Sequence, residues 1–107
     1  MKFLCLAYLD RGLSPGPGVA SEYGALSAAM RAAGVYVDSG QLSPADASKL
    51  VRVTASETEV SDGPPPAAGQ APTAYFVLDC ADLAGALDWA ARIPAASYGT
   101  VQVRPPR

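Results

Sequence analysis

The chain has 107 residues, half of them apolar, and a net charge of −2. That size predicts one domain over residues 1–107, and the slight negative charge excludes the basic footprint that nucleic-acid binding requires. No apolar run approaches the ~20 residues needed to cross a bilayer, and histidine is absent, which removes the usual general base at neutral pH and the commonest metal ligand.

The first residues, Met1-Lys-Phe-Leu-Cys-Leu-Ala-Tyr-Leu9, mimic a signal peptide, but Asp10-Arg11 interrupts them and no small-residue cleavage site follows. They read as a buried first strand of a cytoplasmic protein. Phe3, Cys5, Ala7 and Leu9 point one way; Leu4, Leu6 and Tyr8 point the other. Both faces are apolar, so both call for cover. Ser14-Pro-Gly-Pro-Gly18 is a loop by composition. Tyr23, Leu26, Met30 and Ala33 then recur at helical spacing, which predicts a helix over 19–33 closed by Gly34. Glu22 in its first turns suits the helix dipole.

Val35 to Leu42 reads as a second strand, ended by Gly40 and Ser43-Pro44. Segments 50–55 and 58–61 are short and β-branched, a hairpin signal with Ser56-Glu57 between them. Arg52 alternates with Val51 and Val53 and so lies on the face opposite those valines. Asp62-Gly63 begins a turn, Pro64-Pro65-Pro66 runs extended because proline cannot donate, and 67–72 reads as a loop. In Thr73-Ala-Tyr-Phe-Val-Leu-Asp-Cys80, residues Ala74, Phe76, Leu78 and Cys80 form one face, and Tyr75 and Val77 the other. Asp79 or Asp82 is placed to cap a helix running to about Arg92, with Leu83, Leu87 and Ala90 as its buried stripe. Pro94 closes it. Tyr98 to Arg104 alternates as a last strand, and Pro105-Pro106 ends it.

Strand, helix, strand, hairpin, strand, helix, strand makes an α+β, ferredoxin-like antiparallel sheet with two helices on one face and an extra hairpin. The other face carries Leu4, Leu6, Tyr8, Tyr75 and Val77, too much apolar surface to stay wet. A second copy laid sheet against sheet would cover it. The expectation is a homodimer through the helix-free face, with a cleft between the sheets where a small organic ligand could sit.

Asp62 reads either as a turn carboxylate bonded to nearby amides or as a general base. Tyr8, Tyr75 and Tyr98 either pack, each hydroxyl finding one partner, or line the cleft. Arg52 either clamps a ligand carboxylate or is a solvated strand charge. Trp89 covers a helix edge. Cys5 and Cys80 are too few for a disulfide framework and lack activating neighbours, so inert buried thiols are expected. No metal site is visible at ligand spacing, and no cofactor is implied.

Three stretches carry a family resemblance: the opening Met1-Lys-Phe-Leu-Cys-Leu-Ala-Tyr8, the turn Asp62-Gly63-Pro64, and the whole segment from Leu83 to Pro105. Together they make the chain resemble the YCII-related, or DGPF-domain, family along essentially its full length. The resemblance implies a dimeric α+β barrel, with the Asp62-Gly63 turn at the mouth of the cleft. Two departures stand out. Pro65 replaces the Phe of the DGPF signature. The usually charged connection is uncharged here, with Thr73-Ala74 in place of glycines at the next strand start. Relatives that look like enzymes pair a histidine with an aspartate, and that dyad cannot be carried over.

The function expected first is therefore binding of a small molecule by a dimer, without the His-Asp chemistry and with Gly63 beside Asp62 in the site. One alternative is a lyase or isomerase in which Asp62 moves a proton on a small organic acid or lactone. Another is a regulatory partner of a sigma factor, which the resemblance allows.

Overall fold

The computed structural model describes residues 1–9, 18–63 and 71–107. The loop expected over Ser14–Gly18, the proline run Pro64–Pro66 and the connection 67–72 lie largely outside them. The element order is β1 (Lys2–Leu9), α1 (Val19–Ala32), β2 (Tyr36–Gln41), β3 (Lys49–Thr54), β4 (Glu57–Asp62), β5 (Ala74–Asp79), α2 (Leu83–Ala90), α3 (Ala95–Tyr98) and β6 (Gly99–Arg104). A 3-10 turn at Ala45–Ala47, unforeseen in the sequence, precedes β3.

The four-stranded sheet has the order β2-β5-β1-β6, and every neighbouring pair is antiparallel. This is the ferredoxin-like order. β1 sits inside it, pairing with β5 on one side and β6 on the other. Phe3, Cys5 and Ala7 are almost wholly buried, as are Ala74, Phe76 and Leu78 across from them. Leu26 and Met30 of α1, Ala86 and Ala90 of α2, then Ile93 and Ala95 complete the same cluster. All helices thus pack on one face. A fully buried side chain such as Phe3 or Met30 contributes ~1.5–3 kcal/mol. The ion pairs among the described residues, Met1 with Asp79 and Lys49 with Asp62, are exposed and of the kind that contributes ~0–1 kcal/mol. Packing on one side of the sheet therefore holds the fold.

Several sequence expectations are corrected. The buried stripe of α2 is Ala86 and Ala90, with Trp89 partly buried beside them; Leu83 and Leu87 are 45% and 49% exposed. The small alanines let α2 sit close to the sheet, which turns the larger leucines outward. Gly40 lies within β2 and does not end it. Ala33 is an exposed C-cap. Pro94 begins the short α3, and Tyr98 belongs to that helix, not to the last strand. The hairpin turns at Ala55-Ser56, with Ala55 at φ 50°, a conformation that costs an L-residue ~1–2 kcal/mol.

Asp82 is the N-cap of α2: its carboxylate accepts the Gly85 N–H at 2.8 Å. Asp79 instead accepts the N-terminal ammonium at 2.9 Å. Asp82→Ala is expected to lower unfolding free energy by about 1 kcal/mol, and Asp79→Ala by less than about 0.5 kcal/mol because its pair is exposed. Equilibrium denaturation of the two variants checks the order; equal losses would remove the capping role.

Candidate functional site

The residues singled out in the sequence fall in three places. Tyr8 and Tyr75 lie on the helix-free face. Register sets this face: Leu4, Leu6 and Tyr8 stand opposite Arg104, Gln102 and Thr100 on β6, and Leu4 and Leu6 opposite Val77 and Tyr75 on β5. Leu4, Leu6, Tyr8, Tyr75 and Val77 are each half-buried. The Tyr8 hydroxyl donates to Gln102 Oε1 at 3.3 Å, and Arg104 Nε donates to the same oxygen at 3.2 Å. On the other flank the Tyr75 hydroxyl donates to Asp38 Oδ2 at 3.1 Å. An apolar centre is thus flanked by two short polar rows.

Gly40 is what lets Tyr75 take this position. A Cβ there would stand 2.8 Å from the Tyr75 ring. The hydrogen bond to the Asp38 carboxylate, then the charge of that carboxylate, pushes the Tyr75 phenol above its usual value.

Arg52, Asp62 and Gly63 lie on or beside the separate two-stranded β3–β4 sheet. Arg52 stands opposite Glu59 and is exposed. Asp62 pairs with Lys49 at the hairpin base, its side chain 81% exposed. Gly63 follows at φ 90°, the left-handed region that glycine tolerates, and its N–H donates to the Ser48 carbonyl at 2.9 Å.

Tyr98 lies on the helix side of the large sheet. It lines a cavity of about 250 Å³ with Leu9, Val19, Tyr23, Gln41, Leu42 and Thr73. A second cavity of about 160 Å³ shares Tyr23, Gln41 and Ala74 with it and extends along α1 past Gly24 and Ser27 to Ser39. Tyr23 stacks on Phe76 with ring centroids 6.0 Å apart. Burial pushes the Tyr23 phenol up, partly offset by a hydrogen bond from the Ala95 backbone. Sequence reading placed Tyr23 in a core stripe; only the tertiary structure shows that one edge of it borders a void.

Cys5 is buried and its thiol is pushed up to about 11, by desolvation first and by nearby Cys80 second. Burial likewise raises Cys80. Both shifts favour the thiol over the thiolate, which lowers the reactivity of each. Among the described residues no group of Cys, Asp and Glu side chains comes together as a metal site, and no helix is long and apolar enough to cross a membrane.

Fold and cavity define a small α+β protein whose ferredoxin-like sheet is covered on one side and bears, under its first helix, a void whose described lining has no charged side chain. The model of the YCII-related domain matches residues 1–106, and the chain belongs to that family. No curated protein matches it.

Asp38→Asn is expected to return the Tyr75 phenol toward the ordinary tyrosine range, since the carboxylate that holds its proton is gone. Gly40→Ala is expected to act the same way by pushing the ring aside. Ultraviolet titration of each variant checks this, and an unchanged tyrosine profile in both would contradict it. In the parent, this hydrogen bond contributes stability in full below pH ~10, and the contribution is lost as pH rises through the raised Tyr75 value.

Proposed function

We propose that the protein is a homodimer that binds a small uncharged organic molecule, without histidine–aspartate proton transfer. One observation carries the ligand class. The described lining of the cavity under α1 offers hydroxyl and amide groups from Tyr23, Gln41, Thr73 and Tyr98 among apolar walls, with no charged side chain. Such a wall orients a neutral molecule bearing a carbonyl or hydroxyl. An anion would shed its water with no cation in the described lining to replace it, which is costly. The volume, about 250 Å³, is near the lower end of the ~300–1,000 Å³ of ligand pockets, so the ligand is small.

The dimer follows from the helix-free face. An apolar centre with polar flanks is the pattern of a protein–protein interface. Docking two such faces leaves the cavity accessible, because it lies on the helix side. On this reading the ligand sits between α1 and the sheet. Free, buried Cys5 and Cys80 suit a reducing compartment such as the cytoplasm. The lyase or isomerase alternative needs a substrate brought to the hairpin base, where Asp62 is exposed and held by Lys49; Asp62 does not line either cavity, so binding is preferred.

Leu6→Asp puts a charge in the centre of the helix-free face, where burial without a partner costs several kcal/mol. Sedimentation is expected to show a dimer for the parent and a monomer for this variant. A variant that remains dimeric would refute the face assignment.

Ligand class is read by amide chemical shifts with phenol, γ-butyrolactone and benzoate as probes. The two neutral probes are expected to shift Tyr23, Gln41 and Thr73, and benzoate to leave them unmoved. Val19→Phe fills the cavity from α1, since Val19 is part of its lining. It is expected to abolish the shifts while leaving the fold intact. Shifts that persist in this variant, or that follow benzoate alone, would contradict the proposal.

A further inference from the structure

The β3–β4 hairpin makes no more than slight contact with the rest of the described protein. The whole molecule, hairpin included, spans 47 × 34 × 18 Å. The hairpin's two faces differ sharply. Register puts Val51 opposite Val60 and Val53 opposite Thr58 on one face, with the Lys49–Asp62 ion pair closing its base, and Arg52 opposite Glu59 on the other. This alternation is the signature of a strand pair with one side buried. Yet Val51, Val53 and Val60 are 67%, 67% and 64% exposed. A lone two-stranded hairpin is marginal in water, and this one also carries Ala55 at φ 50° in its turn. Its amphipathic sequence therefore calls for a cover that the described residues of the protomer do not supply.

We infer that the hairpin is an arm whose valine face packs on a second copy of this chain. The inference rests on the sheet-to-sheet dimer proposed above. Area argues for that occupant. Four strands at ~4.8 Å spacing and about six residues at ~3.3 Å give the helix-free face a footprint of ~400 Å². A stable dimer buries ~800 Å² on each partner. One hairpin face of two such strands adds roughly 200 Å². Two-fold symmetry makes each protomer gain this twice, once for the arm it extends and once for the arm it receives. The arms bring a marginal sheet-to-sheet contact to the size of a stable one. The face with Arg52 and Glu59 then stays in water, as its charges require.

The test compares two variants and one exchange measurement. Replacing Val51, Val53 and Val60 together by Thr keeps β-branching and strand preference but removes the apolar face. The triple variant is expected to weaken dimerisation by about a hundredfold in sedimentation equilibrium. Amide hydrogen exchange on the parent is expected to show hairpin protection that rises with protein concentration. If the triple variant dimerises as tightly as the parent while Leu6→Asp is monomeric, the arm is overturned and the sheet-to-sheet dimer stands. If the parent itself is a monomer at high concentration, both fall. Should the triple variant fail to fold, exchange on the parent decides: hairpin amides that exchange equally fast in dilute and concentrated solution overturn the arm.

Discussion

Strand β1 is apolar on both faces and sits between β5 and β6, and the rest of the protein is arranged by the need to dehydrate it. One face is dealt with inside the protomer. Phe3, Cys5 and Ala7 disappear under α1, α2 and α3. The other face is left to Leu4 and Leu6, flanked by Tyr75, Val77 and Tyr8, with only neighbouring side chains to shield them. Sheets whose helices all lie on one side can keep the second side wet when it is polar. Here it is not, and that asymmetry carries the case for a partner.

Chemistry is limited by composition in a different way. The family's proton-transferring relatives are implied to use histidine, and this chain has none. What the structure offers instead is hydrogen bonding by neutral groups. The phenols of Tyr8 and Tyr75 are committed on the helix-free face, to Gln102 and Asp38. Tyr23 and Tyr98 border the cavity on the opposite side. Tyr23, whose phenol burial pushes up, stacks on Phe76 and borders the cavity beside the Tyr98 hydroxyl.

Much of this fold is legible in the sequence because β1 and β5 are apolar runs of strand length, β6 alternates and α1 has a 3.6-residue stripe. The family is legible from the opening strand, the Asp62-Gly63-Pro64 turn and the segment from Leu83 to Pro105. What escaped reading did so for tertiary reasons. Leu83 and Leu87 look like core and are exposed, because closeness to the sheet selects Ala86 and Ala90 for the contact. Gly40 looks like a strand terminator, and only the ring of Tyr75 lying over it explains why a glycine continues β2. The site was the least legible part. Asp62 and Gly63 were expected in a held turn, and Gly63 does take the left-handed conformation. No sequence signal tells that Tyr98 and Tyr75 lie on opposite sides of one sheet, since Tyr98 belongs to the short helix α3 and so falls outside the strand alternation.

The central claim is that the helix-free face is an interface between two copies. Small-angle X-ray scattering from the unmodified protein at micromolar concentration tests it without any substitution. The account predicts the mass of two chains and a radius of gyration clearly above the 15.8 Å of one protomer. A particle with the mass of one chain and a radius near that value would contradict it.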